Sequence, residues 1–225
     1  MSANSVSMNL RHAATLALVG WYLMVPDSSL AATTKLKLLT YTNKAYGFSF
    51  RYRRDWIVKE GDQVNLNWGY LGLVGNSLPH GVTVMALELP FGPSPSDQSF
   101  TQNGIVEKFL KVTVDTGLTA VECNRSAFHG LEELQPTGNF PTVKVGAVQF
   151  TEAEEYNAGL GHEAFARYYH VFQNRTCYEF QLGLNQNFGS PDEIEDGFAE
   201  LKDILATVTI RPTTIAPAPS QGKVE

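Results

Sequence analysis

Hydrophobic and polar positions first alternate cleanly at Phe48, Phe50 and Tyr52, with Ser49, Arg51 and Arg53 between them. A period of two puts the aromatics on one face of a strand over residues 47–52, entered at Gly47 and anchored after its turn by Trp56. Further strands are predicted over 63–74 and 81–89. In the latter, Val82, Val84 and Ala86 share one face while Met85, Leu87 and Leu89 share the other, so both faces should be covered. The Pro-rich residues 90–96 break the pattern as an extended loop. Ile105, Phe109 and Val112 recur at i, i+4 and i+7, which predicts a helix over 99–114.

The second half predicts a strand over 118–128 and a polar loop over 130–141. Three consecutive strands follow over 143–155, 162–173 and 176–184. Residues 157–161 join the first two, and Asn174-Arg175 is a two-residue turn between the others. The last helix opens on Ser190, Pro191 and Glu193, which supply an N-cap, a proline in the first turn and a capping box. Ile194, Phe198, Leu201 and Leu205 then form one apolar stripe, and residues 207–210 add a short strand.

The amino terminus reads as an export signal. Arg11 and His12 precede an apolar run over 13–25, Pro26 ends it, and Ser29-Leu30-Ala31 has the small-x-small pattern of a cleavage site. The run is shorter than the ~20 residues of a membrane span; the alternative is an uncleaved amino-terminal anchor. The organisation expected is a signal peptide over 1–31, a linker over 32–42, one domain over 43–211 and a disordered tail over 212–225. The location expected is periplasmic or secreted, or lumenal in a photosynthetic source, with no membrane span after cleavage.

Composition changes this picture in two ways. The net charge of −6 and the absence of a Lys/Arg cluster argue against a nucleic-acid partner. Two cysteines, Cys123 and Cys177, are an even count in an oxidising compartment. They form either a disulfide or two buried thiols, and both readings stand at this point. No Cys-x-x-Cys or Cys/His ligand spacing occurs, so neither a metal nor a cofactor is implied.

The run Tyr46-Gly47-Phe48-Ser49-Phe50-Arg51-Tyr52-Arg53-Arg54-Asp55-Trp56 and the closing stretch from Tyr168 through Asn174, Tyr178 and Leu182 to Ile210 resemble the PsbP-like superfamily. The resemblance spans about residues 43–211, its middle part by element order alone. This chain has Tyr52-Arg53 where the family's entry motif has Tyr-Pro. The resemblance implies an α+β fold, an antiparallel sheet with helices on its faces (an α/β/α sandwich). It also implies use in binding or assembly rather than catalysis.

Candidate chemistry is sparse. With Asn174-Arg175 as the turn, His170 falls opposite Glu179 and Tyr168 opposite Gln181 on one face. His170 and Glu179 form either an acid/base pair or a cross-strand contact. No nucleophile elbow, phosphate loop or zinc-protease helix occurs. The leading expectation is therefore an exported, non-enzymatic module contacting an envelope or membrane-complex protein. A small-ligand carrier is the alternative, with a pocket between sheet and helix and Trp68, Tyr70, Phe91, Phe140, Tyr168 and Gln181 as candidate lining. A hydrolase using His170 and Glu179 comes third.

Overall fold

The structure is a computed structural model that describes residues 37–64, 78, 80–90, 104–130, 140–159, 162–187 and 190–212. All of them lie in the compact unit Lys37–Glu225. The export signal over 1–31, Trp68, Tyr70, Phe91 and the tail from 213 lie outside the described residues.

Among the described residues, ten strands and two α-helices follow in chain order: β1 Leu38–Asn43, β2 Phe48–Arg53, β3 Ile57–Glu60, β4 Val82–Pro90, β5 Gly104–Asp115, α1 Ala120–Ser126, β6 Thr142–Val145, β7 Val148–Gly159, β8 His162–Gln173, β9 Thr176–Asn187, α2 Pro191–Leu205 and β10 Thr209–Ile210. They form a three-stranded sheet in the order β1-β2-β10 and a seven-stranded sheet in the order β3-β4-β5-β9-β8-β7-β6. Every pairing is antiparallel. With α2 on one face of the large sheet and α1 on the other, the architecture is the expected α+β sandwich.

The main core lies between the large sheet and the layer made by the small sheet and α2. Tyr178, Phe180, Leu182 and Leu184 of β9 point into it, and Phe48 and Phe50 of β2 come down from above. The Phe48 ring meets Tyr178 and Phe180 edge-on at 6.2 Å in both cases, the T-shaped geometry that ring quadrupoles favour. The apolar stripe of α2 closes the same core with Phe198, Leu201 and Leu205. Its N-terminus is held as predicted: Glu193 N donates to Ser190 Oγ at 3.3 Å, and Ser190 N donates to Glu193 Oε2 at 3.0 Å.

Several elements differ from the sequence reading. Residues 104–114, expected in a helix, are the central strand β5. Leu110, Val112 and Val114 enter the main core while Phe109, Lys111 and Thr113 are buried on the opposite face. Leu110-Lys111-Val112-Thr113-Val114 alternates as a strand does, but Ile105, Phe109 and Val112 also fit the i, i+4, i+7 spacing of a helix, and that coincidence hid the strand. Residues 118–128, expected as a strand, carry α1 instead. The missed signal was the capping box in which Thr119 Oγ1 accepts from Glu122 N and Glu122 Oε2 from Thr119 N.

Residues 143–155 are not one strand. Gly146 turns the chain at φ +60° between β6 and β7, where a Cβ would overlap the backbone of Ala206. Residues 38–42, expected as linker, form β1 and pair with β2. The 63–74 strand is not seen where described: a 3₁₀ turn covers Gly61–Gln63, and 65–74 lie outside the described residues. The β8–β9 hairpin has the expected register, with Asn174 and Arg175 both at positive φ, 52° and 60°.

Gly183 of β9 is required by packing. The Phe109 ring lies against its Cα, and an added Cβ would overlap three ring atoms. Gly183→Ala is expected to destabilise the fold by ~1–3 kcal/mol through overpacking. Gly159→Ala, which meets nothing within 4 Å, is expected to change stability by less than ~0.5 kcal/mol. Urea denaturation of the two variants checks the contrast, and equal effects would refute the packing argument.

Candidate functional site

The two faces of the large sheet differ in chemistry. Opposite the main core, β5, β9, β8 and β7 align Lys111, Gln181, Tyr168 and Ala153 in one row, with Thr113, Glu179, His170 and Thr151 in the next. These polar side chains are buried, His170 and Glu179 at 0% exposure. Burying so many polar groups is tolerable only when they bond one another. Accordingly, the Tyr168 hydroxyl donates to Glu155 Oε2 at 2.6 Å and accepts from Gln181 Nε2 at 3.4 Å. Burial, reinforced by the Glu155 carboxylate, pushes the Tyr168 phenol well above its ordinary range. Burial holds the Lys111 ammonium below its usual range against the opposing pull of Glu179.

His170 sits in the middle of this face. Its Nδ1 lies 2.9 Å from the carbonyl oxygen of Cys123, which only accepts, so Nδ1 carries the hydrogen. The 3.1 Å contact between Nε2 and Glu179 Oε2 then holds one further proton between ring and carboxyl. Both ring nitrogens are thereby committed inside the protein. The pair supports the sheet, and it does not line the cleft described below.

Cys123 of α1 and Cys177 of β9 form a disulfide with an S–S distance of 2.01 Å and Cα atoms 5.5 Å apart. It ties a helix to a strand, not strand to strand. The two sulfurs and a ring nitrogen of His170 lie within 4.8 Å of one another, a grouping that sequence spacing did not suggest because it draws on three elements. With both sulfurs bonded to each other no thiolate is present, and a metal would need thiolate ligands there.

The open site is on the main-core side, where the ends of β7, β8 and β9 meet the first turns of α2. A cleft of about 790 Å³ lies there. Phe165 and Phe198 form its apolar floor. Arg167 forms one wall: its guanidinium lies 4.1 Å over the Phe198 ring and pairs with Glu154 and Glu195, each at 2.7 Å. On the other wall the Tyr156 ring packs tilted against Phe165 with centroids 4.7 Å apart. The Tyr156 hydroxyl donates to Glu163 Oε1 at 3.0 Å, and Gln186 Nε2 donates to Glu163 Oε2 at 2.6 Å. The described lining contains no thiol, imidazole or aliphatic hydroxyl; its ionisable groups are carboxylates, the Tyr156 phenol and the Arg167 guanidinium.

A pocket between sheet and helix was expected, but with other walls. Tyr168 and Gln181 belong to the opposite face, and Phe140 stacks on Phe128 with centroids 5.9 Å apart. Glu163, Phe165 and Arg167 share one strand face. That parity was readable in β8, but its neighbour α2 was not.

No family model matches the chain, and no curated protein matches it. Among solved structures, a protein from Bacteroides thetaiotaomicron is similar at 13% identity and a TM-score of 0.40, over 76% of this chain and 48% of that one. This chain thus spans about half that protein's length. LpqN of Mycobacterium tuberculosis, involved in cell envelope biogenesis, is similar at 12% identity and a TM-score of 0.44, over 78% and 91% of the two chains. The cyanobacterial PsbP (CyanoP) of Synechocystis sp. PCC 6803 is similar at 10% identity and a TM-score of 0.35, over 83% and 99%. No helix of the described residues is long and apolar enough to cross a membrane.

The disulfide closes a 54-residue separation, which chain entropy alone makes worth ~4 kcal/mol. Thiol titration of denatured, unreduced protein is expected to find no free thiol, and reduction is expected to lower the melting temperature. Two titrating thiols would contradict the structure.

A second expectation concerns Glu107 on the polar face. Burial raises its carboxyl above 4.5, helped by the Glu88 carboxylate and opposed by Lys59. A carboxyl that ionises less readily when folded stabilises the fold while protonated, and that contribution is lost as pH rises from 4.5 through the raised value. Glu107→Gln should therefore melt above the wild type near pH 7, with the gap closing as pH falls to about 4. A gap that is independent of pH would refute this assignment.

Proposed function

We propose that this chain is a non-catalytic binding module that works outside the cytoplasm and receives its ligand in the cleft between α2 and the ends of β7, β8 and β9. The observation that carries the reading is the cleft itself. It has an aromatic floor and polar side chains held by neighbours, and its described lining contains no thiol, imidazole or aliphatic hydroxyl. The apolar run and cleavage pattern over 1–31 support export, and a buried disulfide suits an oxidising compartment. An envelope or membrane-complex protein is the kind of partner that fits such a location.

The hydrolase reading has little behind it. His170 and Glu179 are closed off at 0% exposure, with both imidazole nitrogens engaged. General acid/base work needs reach to a substrate proton, and this pair faces α1.

A thermal-shift screen of the purified protein against amines, amino acids, sugars, lipids and short peptides tests the proposal. A ligand at 100 times its Kd is expected to add ~2.7 kcal/mol of stability. Tyr156→Ala should remove that shift while leaving the unliganded melting point near the wild-type value, because Tyr156 is 56% exposed. A flat response across every class, or a shift that survives Tyr156→Ala, would count against a binding role for this cleft.

A further inference from the structure

We infer that the cleft recognises an organic cation with N–H donors, a guanidinium or primary ammonium group on an apolar stem; this rests on the binding role proposed above. Four observations converge on that chemistry.

The first is charge. The carboxylates of Glu154, Glu163 and Glu195 line the described cleft against the one cation Arg167, while Glu155 turns its carboxylate to Tyr168 on the opposite face. Carboxylates focused by a concave, partly apolar wall repel anions and concentrate cations.

The second is an acceptor surplus. Each oxygen of Glu163 takes one neutral donor, Tyr156 Oη or Gln186 Nε2, and an ionised carboxyl accepts at about four lone-pair sites. No cation of the described residues pairs with Glu163. Behind it, Gln186 is 1% exposed and its Oε1 has no hydrogen-bond partner among the described residues. Gln186 thus holds the Glu163 carboxylate from behind through Nε2, and the lone pairs available to a ligand N–H are those of Glu163.

The third is the exposed ring. Tyr156 leaves 56% of its surface in solvent although its ring packs against Phe165. An electron-rich face beside a carboxylate is the arrangement that holds cations by cation–π attraction.

The fourth is internal precedent. Arg167 is already bound in this manner, its guanidinium over Phe198 and flanked by Glu154 and Glu195. Tyr156 and Glu163 repeat the same aromatic-plus-carboxylate set on the opposite wall. The apolar side chains of Phe165 and Ile194 between the two walls suit a methylene stem. A bare divalent ion would gain nothing from the rings, so the set favours an organic cation.

Isothermal titration calorimetry on the purified protein tests the inference with agmatine, putrescine and a Gly-Arg-Gly peptide as probes. Glutamate, glucose and magnesium serve as comparisons. Binding of at least one cationic probe is expected, weakening as salt increases. Glu163→Gln and Tyr156→Leu are each expected to reduce affinity about tenfold, whereas Tyr156→Phe, which keeps the ring face, should stay within about threefold. Binding of the peptide alone assigns the group to a side chain of a partner protein, and equal binding of agmatine assigns it to a small molecule. Both results support the inference.

Binding of glutamate or glucose, lost in Tyr156→Leu while the cationic probes fail, overturns the ligand class and leaves the binding role standing. Binding of magnesium alone also overturns the ligand class. No heat from any probe, together with no effect of the cleft variants in the wider ligand screen, overturns both.

Discussion

The structure depends on the register of the β8–β9 hairpin. Asn174 and Arg175 take positive φ together, which matches the twist of a two-residue hairpin and pairs Gln173 with Thr176, His170 with Glu179, and His162 with Asn187. A slip of one residue would send Tyr178, Phe180 and Leu182 to the polar face and Glu179 and Gln181 into the main core. β9 is also bonded to β5 along nearly its whole length, so this register passes into the rest of the large sheet.

That register separates two interiors. One side is dry and aromatic, where rings of β2 interlock with rings of β9 and α2 seals the layer. The other buries Lys111, Glu179, His170 and Tyr168 in a bonded network, with the Cys123–Cys177 bridge fixing α1 over one end. Buried polar networks of this kind add little net stability, but they penalise any alternative packing that leaves a member unbonded. Titratable groups gathered in one place suggest catalysis only while their exposure is ignored. Here the His170–Glu179 pair is sealed at 0% exposure.

The cleft arises where the dry interior ends. β7, β8 and β9 run beyond the cover of α2, so the face that holds Leu182 and Leu184 further in presents Arg167, Phe165 and Glu163 at its margin. Arg167 shows how the margin is stabilised, with its guanidinium over Phe198 and a carboxylate at either side. Its stem and plane cover apolar surface while its charge reaches the rim.

Local chemistry was legible in the chain. The aromatic alternation at Phe48, Phe50 and Tyr52, the Ser190–Glu193 capping box and the two-residue turn at Asn174-Arg175 each depend on neighbours within a few positions, and each element formed as read. The opposition of His170 to Glu179 followed from the turn alone. Elements whose identity depends on what covers them were not legible. β5 fits a strand period over Leu110–Val114 and a helix period at Ile105, Phe109 and Val112, and only burial on both faces separates the two, while α1 is a short helix stabilised by one capping box and a disulfide to a distant strand. The cleft was least legible, because its walls come from three strands and a helix whose proximity no local pattern encodes. The sequence by itself determined the hairpin register, the caps and the aromatic anchors, all set by short-range sterics and hydrogen bonding. Only the tertiary structure decided which face of each strand was sealed and which was left open, because burial is a property of the packed whole.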